Sequence, residues 1–206
     1  MENNTLILGS PYSSTWSLRA FLCASPILNE FNFIWKEFTS QSKLVDSTYC
    51  PTKQVPVLYL KEMESPIVET FAIADVLSQI GGLTWPAKNN EDWLAKSLCL
   101  EFQNQSQELR ELIPMELRSR PKLNRGHDLL EPWHQRLEKL LSNHDGQFLM
   151  GELSIVDAWF APLYCRFIRS NFSISQRQSE YFQSLKATNG WQLWVSYIED
   201  LAVEYR

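Results

Sequence analysis

The sequence predicts a small α/β domain followed by an all-helical domain. Over roughly the first eighty residues, short apolar runs alternate with stretches of helical periodicity, in the order β-α-β-(α)-β-β-α. Beyond the Gly- and Pro-containing stretch GGLTWPAKNN, every periodic segment is helical. We therefore place an α/β domain at residues 1–82, a linker at 83–89 and an all-α domain at 90–206.

The elements of the first domain follow from their residue patterns. A strand is predicted at TLILG, and a helix is predicted at SSTWSLRAFLCAS, which opens with residues favoured at helix N-caps. The run FNFIWKEF alternates as a half-buried strand does, and a loop with room for one short helix is expected from Thr39 to Lys53. An antiparallel hairpin is predicted from PVLYL and PIVE, and the helix TFAIADVLSQI ends at Gly81-Gly82.

Helical periodicity fills the second domain. A long amphipathic helix is predicted from Asn90 to Ile113, because Pro114 ends it. A very apolar helix is predicted at SIVDAWFAPLYCRFIRS, and its Ser154 and Asp157 form a Ser-x-x-Asp capping box, which we interpret as a folding device. Other helices are predicted within GHDLLEPWHQRLEKLLSNH and SEYFQSLKATNGWQLWVSYIEDLAVEY, the latter divided at Asn189-Gly190.

Composition excludes several classes of function. The chain has 206 residues, of which 44% are hydrophobic, and its net charge of -5 argues against a nucleic-acid groove, which needs a basic face. No apolar run reaches the roughly 18 residues of a membrane span, and the first residues lack the basic segment of a secretory signal. The four cysteines show neither CxxC nor metal-ligand spacing, so we expect a cytoplasmic protein with reduced thiols and no metal.

Three hydroxyl side chains crowd the turn between the first strand and the first helix. They are Tyr12, Ser13 and Ser14. A hydroxyl at this place can donate a hydrogen bond to an anion, and the positive end of the helix dipole adds to the stabilisation. The alternative is that Ser13 and Ser14 only cap the helix.

Two further motifs favour the binding of a peptide-like ligand. In KQVPVLYL, a cis bond before Pro56 would turn the backbone N–H and C=O of Val55 outward, where they could pair with an extended peptide; a trans proline at a strand start is the alternative. In VETFAIADVL, Glu69 and Thr70 open a helix, where free N–H groups attract a carboxylate and Glu69 could neutralise an ammonium. A simple helix cap is the alternative for this second motif.

Together and in this order, the motifs resemble the cytosolic glutathione transferase superfamily. More narrowly, YSSTWSLRAFL, LTWPA, ELIPMELRSR and GELSIVDAWFAP resemble a bacterial branch related to the serine-type, zeta-like classes. The resemblance implies a thioredoxin-like N-terminal domain that binds glutathione as co-substrate, and an all-helical C-terminal domain that walls the pocket for the electrophile. It also implies a homodimer with the active site near the interface.

The resemblance implies roles for particular residues. The Val55-Pro56 pair matches the backbone clamp for the cysteinyl part of glutathione, with a cis bond, and Glu69 and Thr70 match the pair that holds the γ-glutamyl head group. The glycyl carboxylate falls to Lys53 or Gln54.

The catalytic hydroxyl is not fixed by the resemblance. Registering the sequence on Trp16 and Arg19 places Tyr12 at the position of the catalytic serine, whereas a one-residue shift moves the role to Ser13 or Ser14. We favour Ser14 and Ser13 ahead of Tyr12, because a short hydroxyl at the N-cap lies nearest the helix dipole. Candidates for the electrophile pocket, with core packing as the alternative, are Phe102, Gln103, Ser106 and Trp159.

The leading hypothesis is a glutathione transferase that activates the thiol of glutathione for attack on small, apolar electrophiles, as in detoxification. Isomerase or peroxidase chemistry with glutathione is an alternative, and so is a non-catalytic interaction module of the same fold. Thiol–disulfide exchange is disfavoured, because no cysteine lies in the hydroxyl turn and Cys23 lies well inside the following helix. The physiological electrophile and the interface residues are not readable from the sequence.

Overall fold

The protein consists of two compact units, described here from a computed structural model. The first unit comprises Met1–Thr84 together with Leu193–Arg206, and the second comprises Trp85–Gln192. The structure describes residues 2–38, 44–86, 91–118 and 121–204.

The described part of the first unit contains a small mixed sheet. Strand β1 (Thr5–Gly9) is central and entirely buried; it pairs in parallel with β2 (Asn32–Lys36) and antiparallel with β3 (Val57–Tyr59). Helices α1 (Thr15–Cys23) and α2 (Thr70–Gln79) pack against each other through buried apolar side chains. These three strands and two helices occur in the predicted order and are of the predicted type.

Some predicted elements differ from those observed. The second arm of the predicted hairpin is reduced to a single antiparallel bridge, in which Leu58 and Ile67 exchange backbone hydrogen bonds of 2.9 and 2.8 Å. The short helix expected between Thr39 and Lys53 is not found in residues 44–53, and residues 39–43 lie outside the described part of the chain. A short 3₁₀ segment at Ser25–Glu30 follows α1 and was not predicted.

Residues from 193 onward belong to the first unit, whereas the sequence places them with the helical domain. The indole of Trp194 is fully buried and its Nε1 donates a hydrogen bond of 3.0 Å to the carbonyl of Pro11. Its ring lies 5.1 Å from that of Phe21 and 5.4 Å from that of Trp35, and Tyr197 packs on both of these rings. The burial of these aromatic rings therefore assigns the segment from residue 193 onward to the first unit, although it is distant in sequence from the rest of that unit.

The described part of the second unit is helical. Helix α6 (Ile155–Ser170) is its centre, because thirteen of its sixteen residues are buried. The helices are α3 (Glu91–Gln105), α4 (Gln107–Leu112), α5 (His127–Asn143), α6 (Ile155–Ser170), α7 (Gln176–Lys186) and the beginning of α8 (Asn189–Glu204).

The helix predicted from Asn90 to Ile113 is broken in the structure. Residue 90 lies outside the described residues. Helix α3 ends at Gln105, and α4 begins at Gln107 with Ser106 as its N-cap. The guanidinium of Arg110 donates from Nη1 to the carbonyl of Gln103 at 2.9 Å and to Oγ of Ser106 at 2.7 Å. This side chain therefore satisfies a backbone acceptor that an unbroken helix would pair with a backbone donor.

A buried carboxylate opens α6, as the capping-box pattern predicts. The Asp157 carboxylate accepts hydrogen bonds from the amide and the hydroxyl of Ser154, at 2.8 and 3.0 Å, and from the amide of Leu149 at 3.0 Å. Burial raises the pKa of Asp157 from its ordinary 3.8 to about 6, against the opposing effect of these three donors. One carboxylate thus ties the preceding loop to the first turn of the central helix.

No helix among the described residues combines the length and the apolar character that a membrane span requires.

Candidate functional site

The turn that carries the three hydroxyls is firmly held. The amides of Ser13 and Ser14 both donate to the carbonyl of Ser10, at 3.3 and 2.9 Å, which closes a tight turn between β1 and α1. Pro11 within the turn is buried, and its carbonyl accepts the indole hydrogen bond of Trp194. The first unit therefore fixes the backbone from which the candidate hydroxyls project.

Ser14 is the N-cap of α1 and belongs to a small hydroxyl network. Its Oγ accepts from the amide of Ser17 at 3.4 Å and lies 2.9 Å from the Ser17 hydroxyl, which in turn accepts from the Gly9 amide at 2.8 Å. Either hydroxyl can supply the proton that joins the pair, because hydroxyl groups rotate. When Ser17 supplies it, the Ser14 proton is left for an anion at the helix N-terminus.

The other two candidates in the turn differ in their surroundings. Ser13 is exposed, and its hydroxyl has no hydrogen-bond partner among the described residues. The side chain of Tyr12 is half-buried. The structure brings all three hydroxyls into one turn and gives Ser14 a structural role as well, so the choice among them stays a prediction.

Val55 presents unpaired backbone groups beside this turn. Its peptide bond to Pro56 is cis, and strand β3 starts at the next residue, Val57. Within the described part of the chain, neither the amide nor the carbonyl of Val55 has a hydrogen-bond partner. The Val55 side chain is buried with Ile7 and Cys50, which holds this part of the chain in place. The backbone amide and carbonyl of Val55 can still form hydrogen bonds with a ligand.

Gly9 lies next to Val55 and directly precedes the hydroxyl turn. We call the unpaired backbone amide and carbonyl of Val55 the Val55 edge. A Cβ atom at Gly9 would lie 2.5 Å from Cε2 of Phe38 and 2.9 Å from Cγ2 of Val55, distances that side chains do not tolerate. The missing side chain therefore lets Val55 pack against the end of β1, one residue before the turn begins.

We expect Gly9→Ala to disturb both features. The added methyl has to displace Phe38 and Val55, which lowers the free energy of unfolding by about 1–3 kcal/mol and moves the Val55 edge. Urea unfolding measures the loss of stability as a lower midpoint. Ser10→Ala, next in the chain, is the control; unchanged stability in Gly9→Ala would contradict the expectation.

Glu69 opens α2 in an unusual backbone conformation. Its φ of 68° and ψ of 120° are rare for a residue with a side chain, and α2 has no side-chain cap. The Glu69 side chain is exposed, whereas the adjacent Thr70 is buried. Val68 packs on the cluster that holds Val55, so the start of α2 lies close to the Val55 edge. The Glu69 side chain does not cap α2, and a ligand role for Glu69 and Thr70 stays a prediction.

Lys53 and Gln54 precede the Val55 edge and are both exposed. Lys53 has a φ of 56°, and its amide donates to the carbonyl of Cys50 at 2.8 Å. The side chains are therefore accessible to a carboxylate that extends beyond Val55, but nothing in their contacts distinguishes one from the other.

An ion pair that the sequence analysis missed lies near the carboxyl ends of β1 and β2. Lys36, paired in register with Gly9, is buried, and its ammonium binds the carboxylate of exposed Asp46. The hydrogen bonds from Lys36 and Thr48 hold the pKa of Asp46 well below its usual range. A lysine that ends an apolar strand is a signal that could have indicated this buried cation.

The cysteines are buried and unsuited to nucleophilic chemistry. All four are free thiols, and burial raises the pKa of Cys23 to about 12 and also raises the pKa of Cys50. A thiol with so high a pKa is protonated at neutral pH and reacts poorly. Thiol–disulfide exchange is correspondingly disfavoured.

The four electrophile-pocket candidates lie in the second unit, where core packing explains two of them. Phe102 is fully buried and stacks face to face on Phe160 at 4.6 Å, and Trp159 is fully buried as well. These two aromatic residues are therefore core residues in the structure, as the alternative interpretation anticipates. Ser106 and Gln103 both bind the guanidinium of Arg110, so a place for them in a pocket stays a prediction.

Comparison with solved structures identifies the fold. A glutathione transferase homolog from Burkholderia GL BGR1, solved with bound glutathione, is similar over 96% of this chain and 98% of its own, with a TM-score of 0.68 and 19% identity. A maleylacetoacetate isomerase from Anaeromyxobacter dehalogenans 2CP-1 is similar over 93% and 90%, with a TM-score of 0.65 and 18% identity. A Tau class glutathione S-transferase from mango, Mangifera indica, is similar over 97% of this chain and 98% of its own, with a TM-score of 0.64 and 15% identity.

The chain therefore has the glutathione transferase fold, with an α/β first domain and a helical second domain. No protein-family model matches the sequence, and no curated protein matches it.

Proposed function

We propose that the protein binds glutathione in its first unit and activates the thiol for attack on small, apolar electrophiles. The observation that carries the proposal is the contact at Gly9, which sets the unpaired backbone of Val55 beside the hydroxyl turn. A solved structure of the same fold contains bound glutathione, which supports this choice of ligand. A cytoplasmic location and a role in detoxification belong to the same proposal.

Each part of the tripeptide has a proposed partner. The cysteinyl backbone pairs with the amide and carbonyl of Val55, as an added strand does. The γ-glutamyl carboxylate binds Thr70 and the N-terminus of α2, and its ammonium binds the exposed carboxylate of Glu69. The glycyl carboxylate lies nearest Lys53 or Gln54.

The hydroxyl turn supplies the activation. A free thiol has a pKa of about 8.5, so only a few per cent is thiolate at neutral pH. A hydrogen bond to a charged group contributes about 1.5–3 kcal/mol, and 1.4 kcal/mol corresponds to one pKa unit. One hydroxyl and a helix N-terminus are therefore sufficient to lower the pKa by one to two units. We assign this role to Ser14, then to Ser13, and then to Tyr12.

The direct test is titration of the full chain with glutathione, followed by turnover of 1-chloro-2,4-dinitrobenzene. We expect heat of binding and formation of the conjugate. Glu69→Gln should weaken binding about tenfold or more, because it removes the charge opposite the ligand ammonium. The matched control Glu64→Gln, an exposed acid in the preceding turn, should bind normally. A folded protein that shows no heat with glutathione would rule the proposal out and leave the interaction module as the better hypothesis.

We propose further that the protein is a homodimer. Helix α3 exposes three apolar residues, Trp93 and Leu94 at 68% each and Leu100 at 37%. Trp93 and Leu100 are two turns apart and share a face, and an exposed apolar face on a helix is typical of an interface. The same face would serve an interaction module.

We expect Trp93→Glu to convert the dimer to a monomer. A charge on this face opposes the burial of apolar surface that the interface requires. Size-exclusion chromatography with light scattering measures the mass of the species. Lys139→Glu on an exposed face of α5 is the control, and a wild-type protein that is monomeric at every concentration would contradict the proposal.

A further inference from the structure

A cavity of about 450 Å³ lies in the second unit and shares no residue with the proposed glutathione site. Its volume falls within the range of small-molecule sites, roughly 300–1,000 Å³. The lining residues come from the turn after α4, the chain before α5 and the last two turns of α6: Glu116, Leu117, Arg118, Lys122, Tyr164, Cys165, Ile168 and Arg169.

The turn on one side of this cavity, residues 113–118, belongs to the motif ELIPMELRSR, which the proposed function leaves unexplained. Helix α4 ends at Leu112, and Met115 is buried, so the turn is anchored by its apolar residue. The carbonyl of Ile113 accepts a hydrogen bond of 3.1 Å from Nε of Arg166 on α6. The turn is therefore fixed against α6, and it places the side chains of Glu116 and Arg118 at the cavity.

The lining is cationic in a protein whose net charge is -5. The described lining contains three cations, Arg118, Lys122 and Arg169, and one acid, Glu116. Arg118 binds Glu116 through Nε at 2.9 Å and Nη2 at 2.8 Å. Among the described residues, neither Lys122 nor Arg169 forms an ion pair with a carboxylate. These two positive charges therefore have no compensating carboxylate within the described part of the chain, which favours an anionic ligand.

Both of these cations have hydrogen-bonding capacity to spare. Lys122 donates from Nζ to the carbonyl of Ile168 at 2.7 Å, which uses one of its three N–H groups. Nε of Arg169 is buried and has no hydrogen-bond partner in the described part of the chain. Stabilisation of the C-terminal end of α6 accounts for the bond of Lys122. That stabilisation does not account for the buried Nε–H of Arg169. A buried donor without an acceptor lowers the stability of the protein, and a bound ligand could supply the acceptor.

The remaining lining is apolar or aromatic. Tyr164 and Ile168 are one turn apart on the same face of α6, and Ile168 is 43% exposed. Burial raises the pKa of Cys165 to about 12, so its thiol is neutral and does not add charge or nucleophilic chemistry. The hydroxyl of Tyr164 accepts a hydrogen bond of 3.2 Å from Lys186, whose ammonium also lies 5.0 Å from the centre of the Tyr164 ring. The cavity thus combines an aromatic and an aliphatic side chain with two cations that have no ion pair among the described residues.

We propose that this cavity binds a small aromatic acid, with its carboxylate or sulfonate on Lys122 and Arg169 and its ring along Tyr164 and Ile168. The site is separate from the one proposed for glutathione. It requires neither glutathione nor an intact hydroxyl turn, so it can be tested even if the proposed function fails.

Calorimetric titration of the full chain with 2-naphthoate tests this site. We expect one bound molecule per chain, with the same affinity when glutathione is present. The double variant Lys122→Gln/Arg169→Gln should weaken binding about tenfold or more, because two charge-assisted contacts are lost. Lys122→Gln alone changes only an exposed side chain and should weaken binding severalfold, which keeps the test valid if the double variant does not fold. Lys139→Gln, outside the cavity, should bind as the wild type does.

Three outcomes would overturn the proposal. They are unchanged affinity in the Lys122→Gln and double variants, displacement of 2-naphthoate by glutathione, and equal affinity for the neutral analogue 2-naphthamide. Displacement by excess inorganic phosphate, with no preference for the aromatic acid, would also overturn it, since the ring contacts would then contribute nothing.

Discussion

Asp157→Ala is expected to lower the free energy of unfolding by about 3–5 kcal/mol. The substitution leaves three buried donors without their acceptor, namely the amide of Leu149 and the amide and hydroxyl of Ser154. The loss is a large fraction of the 5–15 kcal/mol that stabilises most proteins. Urea unfolding followed by tryptophan fluorescence measures it as a lower midpoint, at one fixed protein concentration.

The matched control is Asp128→Ala. Asp128 is also an acid in the first turn of a helix, α5, but it is exposed. Its replacement should cost less than about 1 kcal/mol, the usual size of an exposed helix-dipole interaction. Equal midpoints for Asp157→Ala and Asp128→Ala would show that the buried network contributes nothing beyond that dipole interaction.

Asp157 is also expected to make the free energy of unfolding depend on pH. Because burial raises its pKa to about 6 in the folded protein, from 3.8, the folded state binds the proton more tightly than the unfolded state does. Its contribution to stability is therefore complete below about pH 4 and is lost as the pH rises through 6. Tyr181, which faces Asp157, stays protonated throughout this range, because burial raises its pKa well above 10.

The variant Asp157→Asn isolates this effect, since it keeps an oxygen acceptor without a titrating group. The advantage of the wild type over Asp157→Asn should shrink between pH 4 and pH 6 and stay constant above it. Urea midpoints at a series of pH values measure the difference. An advantage that grows over the same interval would mean that the folded protein depresses the pKa of Asp157.

Ser14→Ala is expected to raise the pKa of bound glutathione by one to two units and to slow conjugation about 10- to 100-fold at pH 6.5. In the proposed function, the thiolate of glutathione then loses a hydroxyl donor at the N-terminus of α1. The pH–rate profile with 1-chloro-2,4-dinitrobenzene measures the shift, and the rates should converge above pH 9. Ser13→Ala and Tyr12→Phe complete the series.

The two roles of Ser14 can be separated. Ser14→Asn restores an N-cap without a hydroxyl, so it should recover stability but not the thiol pKa, whereas Ser14→Thr should recover both. Ser25→Ala, beyond the other end of α1, is the control for the loss of a serine hydroxyl. If Ser14→Ala, Ser13→Ala and Tyr12→Phe all leave the thiol pKa where it is in the wild type, the hydroxyl turn does not activate glutathione.

Elements whose signal is local could be predicted from the sequence. Strand β1, helix α1 and helix α6 lie close to their predicted positions, because their apolar periods and caps are properties of a short segment. The break at Ser106 could not be predicted, since it depends on one rotamer of Arg110 that reaches back over a turn of helix. The periodicity of α3 continues across the break and gives no sign of it.

In the candidate site, too, local features could be predicted from the sequence and contacts between distant residues could not. The sequence indicated the residue types in the turn and the Val55 and Glu69 motifs, but the pairing of Ser14 with Ser17 depends on where the turn closes. The ion pair of Lys36 and Asp46 joins a strand to a loop, and no sequence period records such a contact.

The placement of Trp194 in the first unit has a consequence for synthesis on the ribosome. Its indole anchors the carbonyl of Pro11, 183 positions earlier, and fills the space beside Phe21 and Trp35. The sheet and the hydroxyl turn emerge first from the exit tunnel, yet their core stays open until this tryptophan has been translated. Nascent chains arrested before that point are therefore expected to expose aromatic surface, and chaperones that bind exposed apolar surface are expected to bind them.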